Sequence, residues 1–399
     1  MKSQTSGVDR MSETMGKKQL LLQTFSLLVG FMVWTLLAPL FPEIVKDIPE
    51  AASQQALIIA LPTILGSILR IPFSIMTNRI GARLVYLASF IFLLIPVFYL
   101  SIATTTTDLI IAAVFLGIGG ATFSIGVTAL PKYYEKNKHG FVNGVYGMGN
   151  IGTAVTSFGA PVLAGMLGGW QTAVQTYLII LALFALLQFF LGDKGEKKVN
   201  LPLGKQFKEA MSDYRFYFLN YWYFITFGVF VAFGIFLPNY LVTFFELSTA
   251  DAGFRTAGFI VIATLLRPVG GMLGDKFDPI TMVMISFVGL TISGLLLSFT
   301  YESLLMFTIG CLLTSIFAGI GNGLVFKFVP MYFAQQSGIA NGFVAMMGGL
   351  GGFFPPLVMQ STFEATGTYM LAFHLLTGAC VIALFTMLYL RSKVKANSI

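Results

Sequence analysis

Residues 54–77 read QQALIIALPTILGSILRIPFSIMT, and residues 256–274 read TAGFIVIATLLRPVGGMLG. Each run is long enough to cross a bilayer, which takes about 20 apolar residues. Each carries a single charge, Arg70 in the first and Arg267 in the second. A guanidinium at the centre of a bilayer costs about 2.5–3.5 kcal/mol on insertion scales, so it is kept where it has a task. The two arginines stand 197 positions apart in a chain of 399 residues. Matching charges at matching points of two halves predict a repeat, and a repeat that faces an anion.

The rest of the chain agrees with a polytopic membrane protein. It is 56% hydrophobic and 10% charged, with a mean hydropathy of +0.83. About twelve spans are expected, near 19–42, 54–77, 84–103, 108–131, 140–167, 170–191, 217–244, 255–274, 280–300, 303–333, 338–362 and 368–390. The run from Leu20 to Leu40 is long enough to span, which argues against a cleaved signal peptide. With both termini placed in the cytoplasm, 19 of the 24 Lys and Arg fall on that side. Only Lys46 and Arg255 fall outside, and Arg70, Arg267 and Lys327 lie within spans. The net charge of +7 is thus the positive-inside rule at work and not a nucleic-acid surface.

The polar stretch from Gly192 to Arg215 divides six spans from six. The sequence predicts a cytoplasmic segment 1–18, a six-helix bundle 19–191, a linker 192–216, a second bundle 217–390 and a cytoplasmic tail 391–399. The halves echo each other at an offset near 198. Pro131-Lys132-Tyr133-Tyr134 matches Pro330-Met331-Tyr332-Phe333. Gly140-Phe141-Val142-Asn143-Gly144 matches Gly338-Ile339-Ala340-Asn341-Gly342. Repeats of this length in a twelve-span chain signal a two-bundle transporter with its site near the midplane. Ser74-Ile75-Met76-Thr77-Asn78-Arg79-Ile80-Gly81-Ala82-Arg83 and Gly271-Met272-Leu273-Gly274-Asp275-Lys276-Phe277-Asp278 follow the second and eighth spans. Both resemble the G-x-L-x-D-R-x-G loop of the major facilitator superfamily, with Asn78 in place of the acid in the first copy. The fold this implies is all-α, twelve transmembrane helices in two six-helix bundles.

Arg70 lies nine residues before Arg79, and Arg267 eight before Asp275. At about 1.5 Å per residue each sits roughly 12 Å from its helix end. That depth strains the reach of a snorkelling side chain, so a pocket is the better reading. Lys327 is a third cation within a span, after Gly319-Ile320-Gly321-Asn322-Gly323. It is expected either to be a structural ammonium held by backbone carbonyls or a helix end, or to serve coupling. All seventeen carboxylates can be placed in loops or at span ends, and the two histidines are His139 and His374. No metal site, cofactor or catalytic cluster is expected, and the two cysteines, Cys311 and Cys380, lie in separate spans. The glycines at 140, 144, 147, 149 and 152, and at 338, 342, 348, 349, 351 and 352, let another helix or a ligand approach. Gly149, Gly152, Gly348 and Gly351, with Asn322, are candidates for gating or coupling, helix packing being the alternative.

Gly147-Met148-Gly149-Asn150-Ile151-Gly152, Gly319-Ile320-Gly321-Asn322-Gly323 and Ala345-Met346-Met347-Gly348-Gly349-Leu350-Gly351-Gly352 resemble the signature segments of the bacterial nitrate/nitrite porters, the NarK/NasA family. The resemblance is nearest to the nitrate transporters of Gram-positive bacteria. It implies that Arg70 and Arg267 clamp nitrate or nitrite and that Asn150 lines the pocket. It further implies that Tyr223 and Phe227 flank the planar anion, with Phe123 as a fourth-span aromatic. Tyr223 and Phe227 are four apart and share a helix face. A nitrate carrier of the cell membrane is therefore expected, monomeric, working by alternating access, with nitrate/nitrite exchange preferred over proton-coupled uptake. An exchanger of organic anions such as oxalate or formate is the nearest rival. A membrane sensor that does not transport is the rival from another class.

Overall fold

The computed structural model describes residues 2–199 and 202–396. Residues 200 and 201 of the expected linker, residue 1 and residues 397–399 of the tail lie outside the described residues. Among the described residues all regular structure is helical. Twelve helical spans are long and apolar enough to cross a membrane. They run Glu13–Asp47, Leu57–Ile80, Ala82–Ser101, Thr106–Tyr133, Lys136–Leu167, Trp170–Leu191, Tyr214–Thr243, Asp251–Lys276, Pro279–Thr300, Leu304–Tyr332, Ser337–Thr366 and Met370–Lys393. The first is longer than its apolar run because the polar residues before it continue the helix, which runs Lys2–Trp34. The polar segment between the sixth and seventh spans carries a short helix of its own, Leu203–Met211.

Five spans are interrupted. The first breaks after Trp34, before a segment from Leu37 to Asp47. The second breaks at Leu69, the fourth at Thr122 and the eighth at Leu266. The fifth narrows to a 3₁₀ turn over Met148–Ile151. Local chemistry accounts for each. Pro39, Pro72 and Pro268 lack the N–H that would close the helical bond four residues back. Thr122 turns its hydroxyl onto the Gly119 carbonyl at 2.6 Å, a back-bond that bends helices. The fifth span has glycines at 147, 149 and 152, poor helix formers.

The chain divides into two compact units. One is Met1–Lys136, Val145–Leu203 and Gln335–Met346; the other is Asn137–Gly144, Gly204–Ala334 and Met347–Ile399. Each unit therefore takes in one short segment that precedes or follows the run expected of it. In the first unit Asn341 donates to the Val127 carbonyl at 3.3 Å, and Asn78 to the Ser337 hydroxyl at 3.1 Å. In the second unit Asn143 donates to the Phe326 carbonyl at 3.2 Å. Asn143 and Asn341 are the matching asparagines of the repeat, so the repeat is preserved in its hydrogen bonds.

Helices in lipid gain little from apolar burial against each other and rely on close backbone approach. A Cβ on Gly152 would come within 2.1 Å of the Leu28 carbonyl oxygen, and one on Gly351 within 2.1 Å of that of Phe224. A Cβ on Gly149 would lie 2.7 Å from the Thr24 carbonyl oxygen and 2.8 Å from Leu27. These three glycines are close-packing positions. Gly81 ends the second span at φ +91°, a conformation few side chains tolerate. Beyond it the buried Glu196 carboxylate accepts the Ala82 N–H at 2.6 Å and pairs with Lys132 at 2.8 Å.

Candidate functional site

In the first unit Arg70 opens the helical segment Arg70–Ile80, directly after the break at Leu69. Its side chain is fully buried. Nε donates to the Gly120 carbonyl at 3.1 Å and Nη1 to the Ala345 carbonyl at 2.6 Å. Both acceptors are neutral, so these bonds aim the guanidinium without cancelling its charge. The Phe123 ring lies 5.4 Å from Cζ and the Trp34 ring 5.8 Å, inside the range of cation–π attraction. Phe123 in turn packs on Phe31 and Tyr146. Gly120 makes room: a Cβ there would fall 2.7 Å from the Trp34 indole.

Asn150 sits in the 3₁₀ turn of the fifth span, fully buried, and neither of its amide atoms has a hydrogen-bond partner. The turn packs on the first span around Thr24 and Leu27, one turn before Phe31. Buried polar groups are nearly always paired, so an open carboxamide marks a place for a guest or for water.

In the second unit Arg267 opens the segment Arg267–Lys276 after the break at Leu266. It is 2% exposed. Nη2 donates to the Tyr223 hydroxyl at 2.9 Å, and the Phe227 ring lies 5.5 Å from Cζ. Tyr223 and Phe227 stack at 5.1 Å with their planes 8° apart, and Phe326 meets Tyr223 edge-on at 4.7 Å. Gly348 accommodates this pair, since a Cβ there would lie 2.3 Å from the Tyr223 ring. The expected helix-face relation of Tyr223 and Phe227 is what the geometry has, and both stand with Arg267.

Lys327 stands apart from this cluster. Its ammonium pairs with the Asp275 carboxylate, and both side chains are nearly buried. Asp275 also accepts the N–H groups of Gly140 at 3.0 Å and Phe141 at 2.7 Å. Lys327, expected either as a structural ammonium held by carbonyls or a helix end or in coupling, thus pairs with a carboxylate that the sequence places 52 residues away, near the end of the segment Arg267–Lys276. Asn322 is buried in the tenth span with both amide atoms without a hydrogen-bond partner. Trp34 is the residue of this region that sequence reading missed. Its signal was Pro39 a few residues on, but one ring in a Phe-rich chain does not stand out.

The twelve apolar spans and the repeated halves are those of a two-bundle membrane carrier. The family profile described as the Major Facilitator Superfamily matches residues 24–254 and 222–398, and the chain belongs to that superfamily. Among relatives, it is 54% identical over 387 residues to "Probable nitrate transporter NarT" of Staphylococcus haemolyticus, covering 97% of this chain and 100% of that one. It is 55% identical over 383 residues to the NarT so named in Staphylococcus aureus (strain bovine RF122 / ET3-1), covering 96% and 98%. Within the superfamily the chain thus groups with these porters of Gram-positive bacteria and is a multi-pass cell-membrane protein, not an enzyme. The fold is also that of the human organic anion transporter MFSD10, with a TM-score of 0.77 at 16% identity over 93% of this chain and 99% of that one. The Escherichia coli fucose:proton symporter FucP gives 0.70 at 14% identity, over 92% and 98%.

Proposed function

We propose that this chain carries nitrate across the membrane by alternating access, with Arg70 and Arg267 both holding the anion and Asn150, Phe123, Tyr223 and Phe227 completing its surroundings. One observation carries the reading: each arginine is buried, follows a one-residue, proline-linked kink in its span and lies against an aromatic ring. Proline-interrupted spans at corresponding positions of the two halves point to the binding site of a carrier. Nitrate is flat, singly charged and weakly hydrated. Guanidinium N–H groups bond its oxygens in plane, and rings cover its faces. The names of relatives 54–55% identical over nearly the whole chain support nitrate as the cargo.

Two like charges resist approach when the carrier is empty, and an anion between them relieves that resistance. Rocking is then tied to occupancy, which favours exchange of nitrate for nitrite over proton symport. The basic loops orient both termini toward the cytoplasm. The test uses proteoliposomes. Nitrite-loaded vesicles are expected to take up labelled nitrate quickly, and empty vesicles to take up none under a pH gradient alone. Uptake into empty vesicles driven by the pH gradient would overturn exchange. Equal competition by oxalate or formate would overturn nitrate as the preferred guest.

A further inference from the structure

Asn322 is 1% exposed, and both Oδ1 and Nδ2 lack a hydrogen-bond partner. Each such unmade bond costs about 1–3 kcal/mol, so a leucine of the same size would pack better if packing were its only role. Its neighbours fix the direction in which it points. At 3.6 residues per turn, positions 319, 322, 323 and 326 share one side of the helix. Phe326 sets its ring on Tyr223. Gly319 backs onto Ala263, and a Cβ on Gly323 would come within 2.0 Å of the Arg267 carbonyl oxygen. Gly321, about 100° round the helix from Asn322 and away from 319, 323 and 326, faces Thr226 and Ser286. Asn322 is therefore directed between the seventh span at Tyr223–Thr226 and the eighth span at Ala263–Arg267. The hydroxyls of Thr226, whose methyl faces Gly321, and of Thr264, next in the chain to Ala263, are also buried and without hydrogen-bond partners. Asn322, Thr226 and Thr264 thus leave polar atoms open on the three spans that also carry Phe326, Tyr223 and Arg267.

We infer that Asn322 touches the transported anion and helps set the preference for a trigonal oxyanion, a role distinct from the gating expected of it. Nδ2 donates to an anion oxygen, while Oδ1 accepts an N–H of the Arg267 guanidinium and keeps its fork in the plane of the guest. This rests on Arg267 being an anion ligand, so Arg267→Lys is measured beside it. Wild type, Asn322→Leu, Asn322→Asp and Arg267→Lys are purified, and melting temperature with and without nitrate is recorded. KM and kcat for labelled nitrate are measured in proteoliposomes.

Asn322→Leu is expected to melt no lower than wild type without nitrate. Its nitrate KM is expected to rise about tenfold, the value of one lost charge-assisted bond, with kcat held. Its nitrate-induced rise in melting temperature is expected to shrink, and Asn322→Asp to abolish binding by adding a like charge to the anion's site. Unchanged KM and unchanged nitrate-induced shift in Asn322→Leu would overturn the proposal, as would a change confined to kcat, the sign of a gate. If Asn322→Leu fails to fold, Asn322→Ser carries the test with the same expectation for KM. A normal Asn322→Leu beside a dead Arg267→Lys removes Asn322 alone. A wild-type KM in Arg267→Lys removes the arginine ligand itself.

Discussion

Arg70 is held by two backbone carbonyls, of Gly120 and Ala345, whereas Arg267 is held by the hydroxyl of Tyr223. The surroundings differ in the same sense. Four of the first six spans are interrupted, and of the last six only the eighth is. A carbonyl moves only with its helix, so the first guanidinium is aimed by the fold itself. A phenol rotates, donates as well as accepts, and sits on a continuous helix. Of these bonds, the two of Arg70 reach atoms fixed in their helices, and that of Arg267 reaches a hydroxyl that can turn. The repeat of the sequence is kept in position and in the aromatic ring beside each guanidinium, while these hydrogen bonds differ.

The largest effect comes from the forks themselves. Arg70→Lys and Arg267→Lys are each expected to reduce nitrate uptake at least about a hundredfold, because an ammonium lacks the planar donor pair. Uptake in proteoliposomes checks this, and loss in only one variant would break the equivalence of the two arginines. Next comes Tyr223→Phe, which keeps the ring and deletes the hydroxyl. It is expected to raise KM about tenfold through loss of one hydrogen bond to a charged group. For Arg70 the Gly120 and Ala345 acceptors are main-chain atoms that no side-chain substitution removes. A silent Tyr223→Phe would show that the phenol does not aim Arg267.

Smaller still are the rings. Phe123→Leu and Phe227→Leu are expected to raise KM about threefold to tenfold each, the worth of a partly desolvated cation–π contact. Equal losses from both would mean that the guanidiniums share this support even though their hydrogen bonds differ. The smallest effect on binding is expected from Lys327→Met. It should leave nitrate KM within about twofold while lowering the melting temperature, because it strips a partner from a nearly buried carboxylate. A large KM change there would return Lys327 to the anion's path.

The spans, the repeat and the superfamily were legible because hydropathy and the internal offset report on them directly. Arg70 and Arg267 were legible for the same reason, since a lone charge in an apolar run is conspicuous. Tyr223 and Phe227 needed the family resemblance, because in a chain 15% aromatic any pair four apart looks like packing. The acceptors of Arg70 could not be read at all. Main-chain carbonyls at Gly120 and Ala345 leave no side-chain signature. The partner of Lys327 was hidden by distance along the chain. The breaks at Trp34, Leu69 and Leu266 are foreshadowed by the prolines that follow them, but the break at Thr122 depends on a rotamer that composition does not specify.

Of the three tryptophans, Trp170 bonds the Asp47 carboxylate and Trp222 the Thr386 hydroxyl, while Trp34 lies beside Arg70. Its indole emission is thus expected to respond to the electric field of that guanidinium. A version with phenylalanine at 170 and 222 would leave a single fluorophore, and its spectral shift on adding anion would give a label-free optical titration of the molecule.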